Sequence, residues 1–182
     1  SWNFTLYPFC SDWTHGNFLE WNPERASYLF SMAGTDTIFE LSEAGEPIQV
    51  FTGLGAFGLS SALQPVTGGF SYPHGPHWNQ AGELMFISTV EEQSRAIAYQ
   101  INDDHTLEKT WVWGDEYNYR AYNLGEVIEV KDNHRFVNWG SVGVMQIIDE
   151  NDSVLWEVHS GLNQWFAQFE YWDSLPGMEY VN

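Results

Sequence analysis

The sequence predicts an all-β chain built from repeated four-stranded units, and three observations carry that expectation. Helical periodicity is nearly absent, while short runs rich in β-branched and aromatic residues alternate with turn signals along the chain. Those runs recur three times in the same order. The turn between the third and fourth run of each unit also repeats: SEAGEP (42–47), NDDHTL (102–107) and DENDSV (149–154) are rich in Asp, Asn, Ser or Gly. Such residues suit tight hairpins because they tolerate left-handed backbone or cap their own chain. Tyr28, Leu84 and Arg135 open equivalent second strands, 56 and then 51 positions apart. Four antiparallel strands per unit of about 50 residues is the pattern of a β-propeller blade.

Taken in order, the first unit reads HGNFLEW, SYLFSM, DTIFELS and EPIQVFTG. The second reads HGPHW, GELMFIST, RAIAYQIN and LEKTWVWG, and the third NLGEVIEV, HRFVNWG, GVMQIID and SVLWEVH. Blades are therefore expected over 13–52, 72–114 and 122–159 of one partial propeller domain. The segment 53–69 contains no Lys and no phosphate-loop pattern, and it reads as an inter-blade loop near the channel mouth. The tail, 160–182, is aromatic and irregular and is expected to pack across a face or edge. Three blades do not close a ring of about four to eight. Another chain, further copies or a missing chain portion is expected to complete it. A β-sandwich is the competing architecture, which the in-order repetition disfavours.

Composition sets the outer bounds. A length of 182 residues suits one domain or part of a larger one, and 43% hydrophobic content with 10 Trp argues for an ordered core. Acidic residues number 25 against 6 basic ones, a formal charge of −19. That excludes a free nucleic-acid binder and disfavours an anionic membrane surface, leaving solubility as the plain reading. Cys10 is the one cysteine, so no intrachain disulfide can form. Sequons stand at Asn3 and Asn151. No apolar run approaches the roughly 18 residues of a membrane span. The start, Ser-Trp, reads as a processed, trimmed or incompletely traced polypeptide.

The inner strands carry the candidate chemistry. Strict alternation would put His15, Asn17, Leu19 and Trp21 on one strand face. The second inner strand, within YPHGPHW, brings His74 and His77. The first strand of each propeller blade lines the central channel, so these polar side chains are expected to converge at one end of it.

At these residues the chain resembles the arylsulfotransferase family. DWTHGNFLEWNPERASYLFS resembles the family segment in which W-x-H-x-N precedes an acidic turn and a strand. PHGPHWNQAGELMFIS resembles its next inner strand, and SRAIAYQINDDHTLEKTWVWG its following hairpin. LGEVIEVKDNHRFVNWG and VMQIIDENDSVLWEVH resemble the next blade, so the likeness covers roughly residues 12–159. The resemblance implies a six-bladed, secreted or periplasmic propeller. It implies transfer of a sulfuryl group from a phenolic sulfate ester to another phenol through a histidine, with no cofactor. His15, His74 and Arg95 fall on its catalytic positions. Asn17, His77, Trp13 and Trp78 are the candidates for substrate contact. A neutral imidazole is a good nitrogen nucleophile and can move a phenol proton near neutral pH. A guanidinium can hold two sulfate oxygens, and Trp13 or Trp78 could stack on the phenol ring. The third inner strand, YNLGEVIEV, carries Glu126 and no histidine, so a further catalytic histidine is expected from another blade.

Plainer roles compete with each of these. Arg95 could pair with Glu91 or Glu92 on the surface. His105 and His134 fall in solvated hairpin turns, and His159 ends a strand. Asp103-Asp104 and the DENDS turn offer oxygens to Ca²⁺ but follow no binding-loop spacing, so no metal is expected. The competing functional class is a non-catalytic extracellular propeller acting in binding or assembly; a glycan-binding propeller has only the tryptophan count behind it.

Overall fold

A computed structural model of the protein describes residues 14–54, 66–161 and 166. They form three antiparallel sheets, each with its strands in sequence order. The first holds β1 (Gly16–Asn22), β2 (Ser27–Met32), β3 (Thr37–Ser42) and β4 (Pro47–Thr52). A two-residue strand, β5 (Val66–Thr67), adds to β4 in parallel. The second holds β6 (His74–Trp78), β7 (Leu84–Val90), β8 (Gln93–Ile101) and β9 (Leu107–Trp113). The third holds β10 (Glu126–Glu129), β11 (Arg135–Asn138), β12 (Val144–Ile148) and β13 (Val154–His159). No α-helix occurs among the described residues. The architecture is all-β, three consecutive four-stranded blades of a β-propeller. Trp13, Cys10, Asn3 and most of the 53–69 and 160–182 segments lie outside the described residues.

The middle blade explains why its strands read as unbroken apolar runs. On β7, Leu84 and Phe86 face the first blade while Met85 and Ile87 face the third, and all four are fully buried. On β8, Ile97 and Tyr99 take the first side and Ala96 and Ala98 the second. A sheet covered on both faces needs apolar residues at every position rather than at alternate ones. The joint with the first blade gathers Leu29, Ile38, Phe51 and Phe70. The joint with the third gathers Trp111, Val127, Val137, Trp139 and Ile148.

Indole N–H groups tie that second joint. Trp113 and Trp139 both donate to Gln146 Oε1, at 3.0 and 2.9 Å, and Gln146 Nε2 donates to Glu157 at 2.6 Å. Trp111 donates to Asp152 at 2.7 Å, in the hairpin of the next blade. Three of the ten tryptophans therefore serve inter-blade packing.

The inner strands lie side by side, β6 between β1 and β10. At Gly75 their backbones almost touch: a Cβ there would sit 2.5 Å from both Glu126 Cβ and the Gly125 carbonyl oxygen. With φ at +56°, the position needs glycine twice over.

Candidate functional site

β1 does not keep the alternation that its sequence suggests. Its register with β2 shifts between Gly16 and Phe18, a β-bulge centred on Asn17. The bulge re-aims the strand, so Asn17, Phe18 and Glu20 all meet residues of β6, while Leu19 and Trp21 are exposed. His15 stands just before the strand at φ +43°, its carbonyl accepting from the Ala33 amide at 3.0 Å.

Two histidine bridges then cross the inner strands. In the upper one, Asn17 Nδ2 lies 3.0 Å from the Pro73 carbonyl oxygen and 2.7 Å from His74 Nδ1, and Ser31 donates to Asn17 Oδ1 at 2.6 Å. A carbonyl oxygen cannot donate, so the atom facing Pro73 must be the amide nitrogen. His74 Nδ1 is therefore an acceptor, and the neutral ring carries its proton on Nε2. Burial, helped by the nearby charge of His15, pushes His74 down to about 4, and the Tyr122 backbone offsets only part of this. His74 is a neutral crosspiece at ordinary pH.

In the lower bridge, His77 Nδ1 lies 2.6 Å from Glu20 on β1, and its Nε2 lies 3.4 Å from Glu126 on β10. Phe18 closes on the ring edge at 5.1 Å. Burial works against the charged form, but the two carboxylates that flank the ring, Glu126 and Glu20, outweigh it. The pKa of His77 is raised. One side chain from each of three successive inner strands thus forms a carboxylate–imidazole–carboxylate chain.

Above the upper bridge, Tyr72 stands between the remaining imidazoles, 5.7 Å from the His15 ring and 5.4 Å from the His74 ring. Tyr72 has φ at +49°, and Asp36 holds it there: Asp36 Oδ1 accepts from the Tyr72 amide at 2.7 Å and the Ser71 hydroxyl at 2.9 Å. Neither Tyr72 nor Asp36 is a candidate on sequence grounds. A positive φ beside two histidines, invisible in sequence, is what marks them. Below them a cleft of about 160 Å³ is lined by Asn17, Phe18, His74, Gly75, Leu124 and Glu126, among other residues.

The structure brings His15, Asn17, His74 and His77 together and leaves two candidates elsewhere. Arg95 lies on β8, two strands or about 10 Å out from β6. Its Nε pairs with Asp115 and its Nη2 donates to Gln93 at 2.9 Å. Its partner is thus neither Glu91 nor Glu92; Glu92 pairs with Arg120 at 2.7 Å. Trp78 sits at the opposite end of β6 from His74, with the Arg25 guanidinium 4.2 Å over its ring and Phe51 against it. It lines a separate cleft of about 340 Å³ with Asn22, Arg25 and Asn79. Trp13 lies outside the described residues. In the DENDS turn, Asp149 Oδ1 accepts from the Asn151 and Ser153 amides, closing a hairpin. Among the described residues no three His, Cys, Asp or Glu side chains converge as a metal site. His159 pairs with Glu157 at 2.8 Å.

No family model and no curated protein matches the sequence. Among solved structures, the chain is similar to a protein of unknown function from Bacteroides caccae. That match has a TM-score of 0.51 at 12% identity, over 80% of this chain and 46% of that one. A catalytically inactive virginiamycin B lyase from Staphylococcus aureus, with quinupristin, gives 0.48 at 14% identity, over 80% and 41%. A putative 6-phosphogluconolactonase from Bacteroides fragilis gives 0.49 at 14% identity, over 81% and 40%. The chain spans less than half the length of these structures. The likeness to the first is one of fold and extends to no activity.

Proposed function

We propose that the chain forms part of a β-propeller enzyme whose reactive group is His15, working beside Tyr72 and His74. The observation behind this reading is the placement of His15. It is half-buried, stacked on Tyr72 and close enough to His74 to depress its pKa. The sequence resemblance supplies the reaction class, sulfuryl transfer between phenols. The His15 nitrogen attacks sulfur, the S–O bond to the aryl group breaks, and the phenolate leaves and takes up a proton. The acceptor phenol then attacks the sulfur, giving up its proton and freeing the imidazole. His74, fixed and neutral, places no positive charge of its own beside His15. Further blades, from a longer chain or a partner, would complete the ring and bring cations for the sulfate oxygens; the secreted or periplasmic setting belongs to the same reading.

The test uses the complete protein with a chromogenic aryl sulfate and a phenol acceptor. Release of the chromophore is expected, with His15→Asn about a hundredfold slower or worse. An unchanged rate in His15→Asn would remove that residue from the chemistry. A second reading, binding without turnover, is favoured by Glu20 and Glu126, whose charges near the inner cleft oppose a sulfate ester. No turnover by the wild-type protein, with phenol still bound, would select it.

A further inference from the structure

A third cleft, of about 180 Å³, opens on the face of the middle blade that turns toward the first. Alternation along β8 puts Arg95, Ile97 and Tyr99 on that face. Cross-strand register sets Lys109 opposite Tyr99 and Ser88 opposite Arg95. Together with Val90 these side chains line the cleft. Two of the six basic residues of a chain with formal charge −19 therefore meet in one place.

The donors there are incompletely used. The Tyr99 hydroxyl is buried, in a residue only 2% exposed, and makes no hydrogen bond among the described residues. A buried hydroxyl without a partner is costly, and one retained in a native fold calls for an explanation. Burial also pushes Tyr99 up to about 12, so it remains a donor at any ordinary pH. Lys109 is exposed and forms no ion pair with a described residue. Arg95 spends Nε on Asp115 and one Nη2 proton on Gln93, which leaves its Nη1 edge uncommitted among the described residues. Ser88 is occupied in both directions by the Ser71 backbone.

We propose that this cleft binds a small oxyanion, a carboxylate, phosphate or sulfate group, between the Lys109 ammonium and the Tyr99 hydroxyl, with Arg95 at the rim. The pairing suits the chemistry: an oxyanion accepts several hydrogen bonds at once, and charge-assisted ones are the strong kind. Val90 and Ile97 add apolar side chains to the cleft wall. The site is separate from His15 and stands whether or not that residue is reactive.

Thermal melting of the complete protein in sodium phosphate, sulfate or acetate, against chloride at matched ionic strength, tests this. Binding should raise the Tm in a saturable way. Lys109→Gln and Tyr99→Phe should each weaken the apparent affinity about tenfold. General salt effects persist in both variants, so the difference isolates the site. A response to acetate alone identifies a carboxylate ligand, and one to phosphate or sulfate a tetrahedral one. Without anion, Tyr99→Phe should melt higher than wild type, since it deletes a buried hydroxyl that lacks a partner. Equal melting in every anion, or an undiminished response in both variants, would overturn the proposal. So would a response abolished by His15→Asn and by neither cleft variant.

Discussion

His74 and His77 stand three residues apart on one strand, and their surroundings drive them in opposite directions. Folding favours the neutral form of His74, which falls from the ordinary 6.5 to about 4. Its contribution to stability is therefore complete above about pH 6.5 and is lost as the pH falls through about 4. His77 is raised, so its contribution is complete below about pH 6.5 and is lost as the pH rises through its folded value. NMR titration of the imidazole protons should show the two midpoints on either side of 6.5. Glu126→Gln should bring that of His77 down and leave His74 nearly unmoved. Two midpoints together near 6.5 would contradict the bridges. Of this site, His15 and His74 were legible because they repeat at the spacing of the blades. Glu126 was legible as the acid of the third inner strand, though not its bridge to His77. Glu20, Asp36 and Tyr72 were not legible: each works through a partner on another blade or through a backbone angle, and neither leaves a local pattern.

Turn chemistry and strand order could be read because they are local. The Asp- and Asn-rich hairpins close as their residues dictate, Asp149 and Asn102 among them. The bulge at Asn17 could not be read: alternation across 15–21 looks regular, and only the pairing with β2 shows the extra residue. Arg95 was misplaced for a related reason. It neighbours Ala96, which pairs with Ile87 and through it with His74, so it does lie toward the His74 end. Its side chain nevertheless finds Asp115 and Gln93 before it could cross two strands. Gly75 offers a test of the inner-strand contact. Gly75→Ala places a methyl against Glu126 and the Gly125 carbonyl at a left-handed backbone, and should cost about 2 kcal/mol or more. Melting of the complete protein within a degree of wild type would mean the strands can separate there freely.

Across the whole molecule, the three blades are not equals. The middle sheet is covered on both faces, while the first and third leave Leu19, Trp21, Leu155 and Trp156 exposed on the described surface. The repeat made the three units legible but said nothing of this inequality, because similar strands read alike whatever stands beyond them.

A sheet guarded on both sides should be the last to come apart. Local opening draws on elements with little burial, so β1 and β13 should exchange their amide protons well before β7 and β8. His15 belongs to the first blade and His74 to the second, and their partnership spans the joint between them. Warming should then dissolve that partnership while the middle blade still holds its strands. Any catalysis by His15 would fade several degrees below the loss of β-sheet ellipticity, and coincident loss of the two would show that the blades fall together.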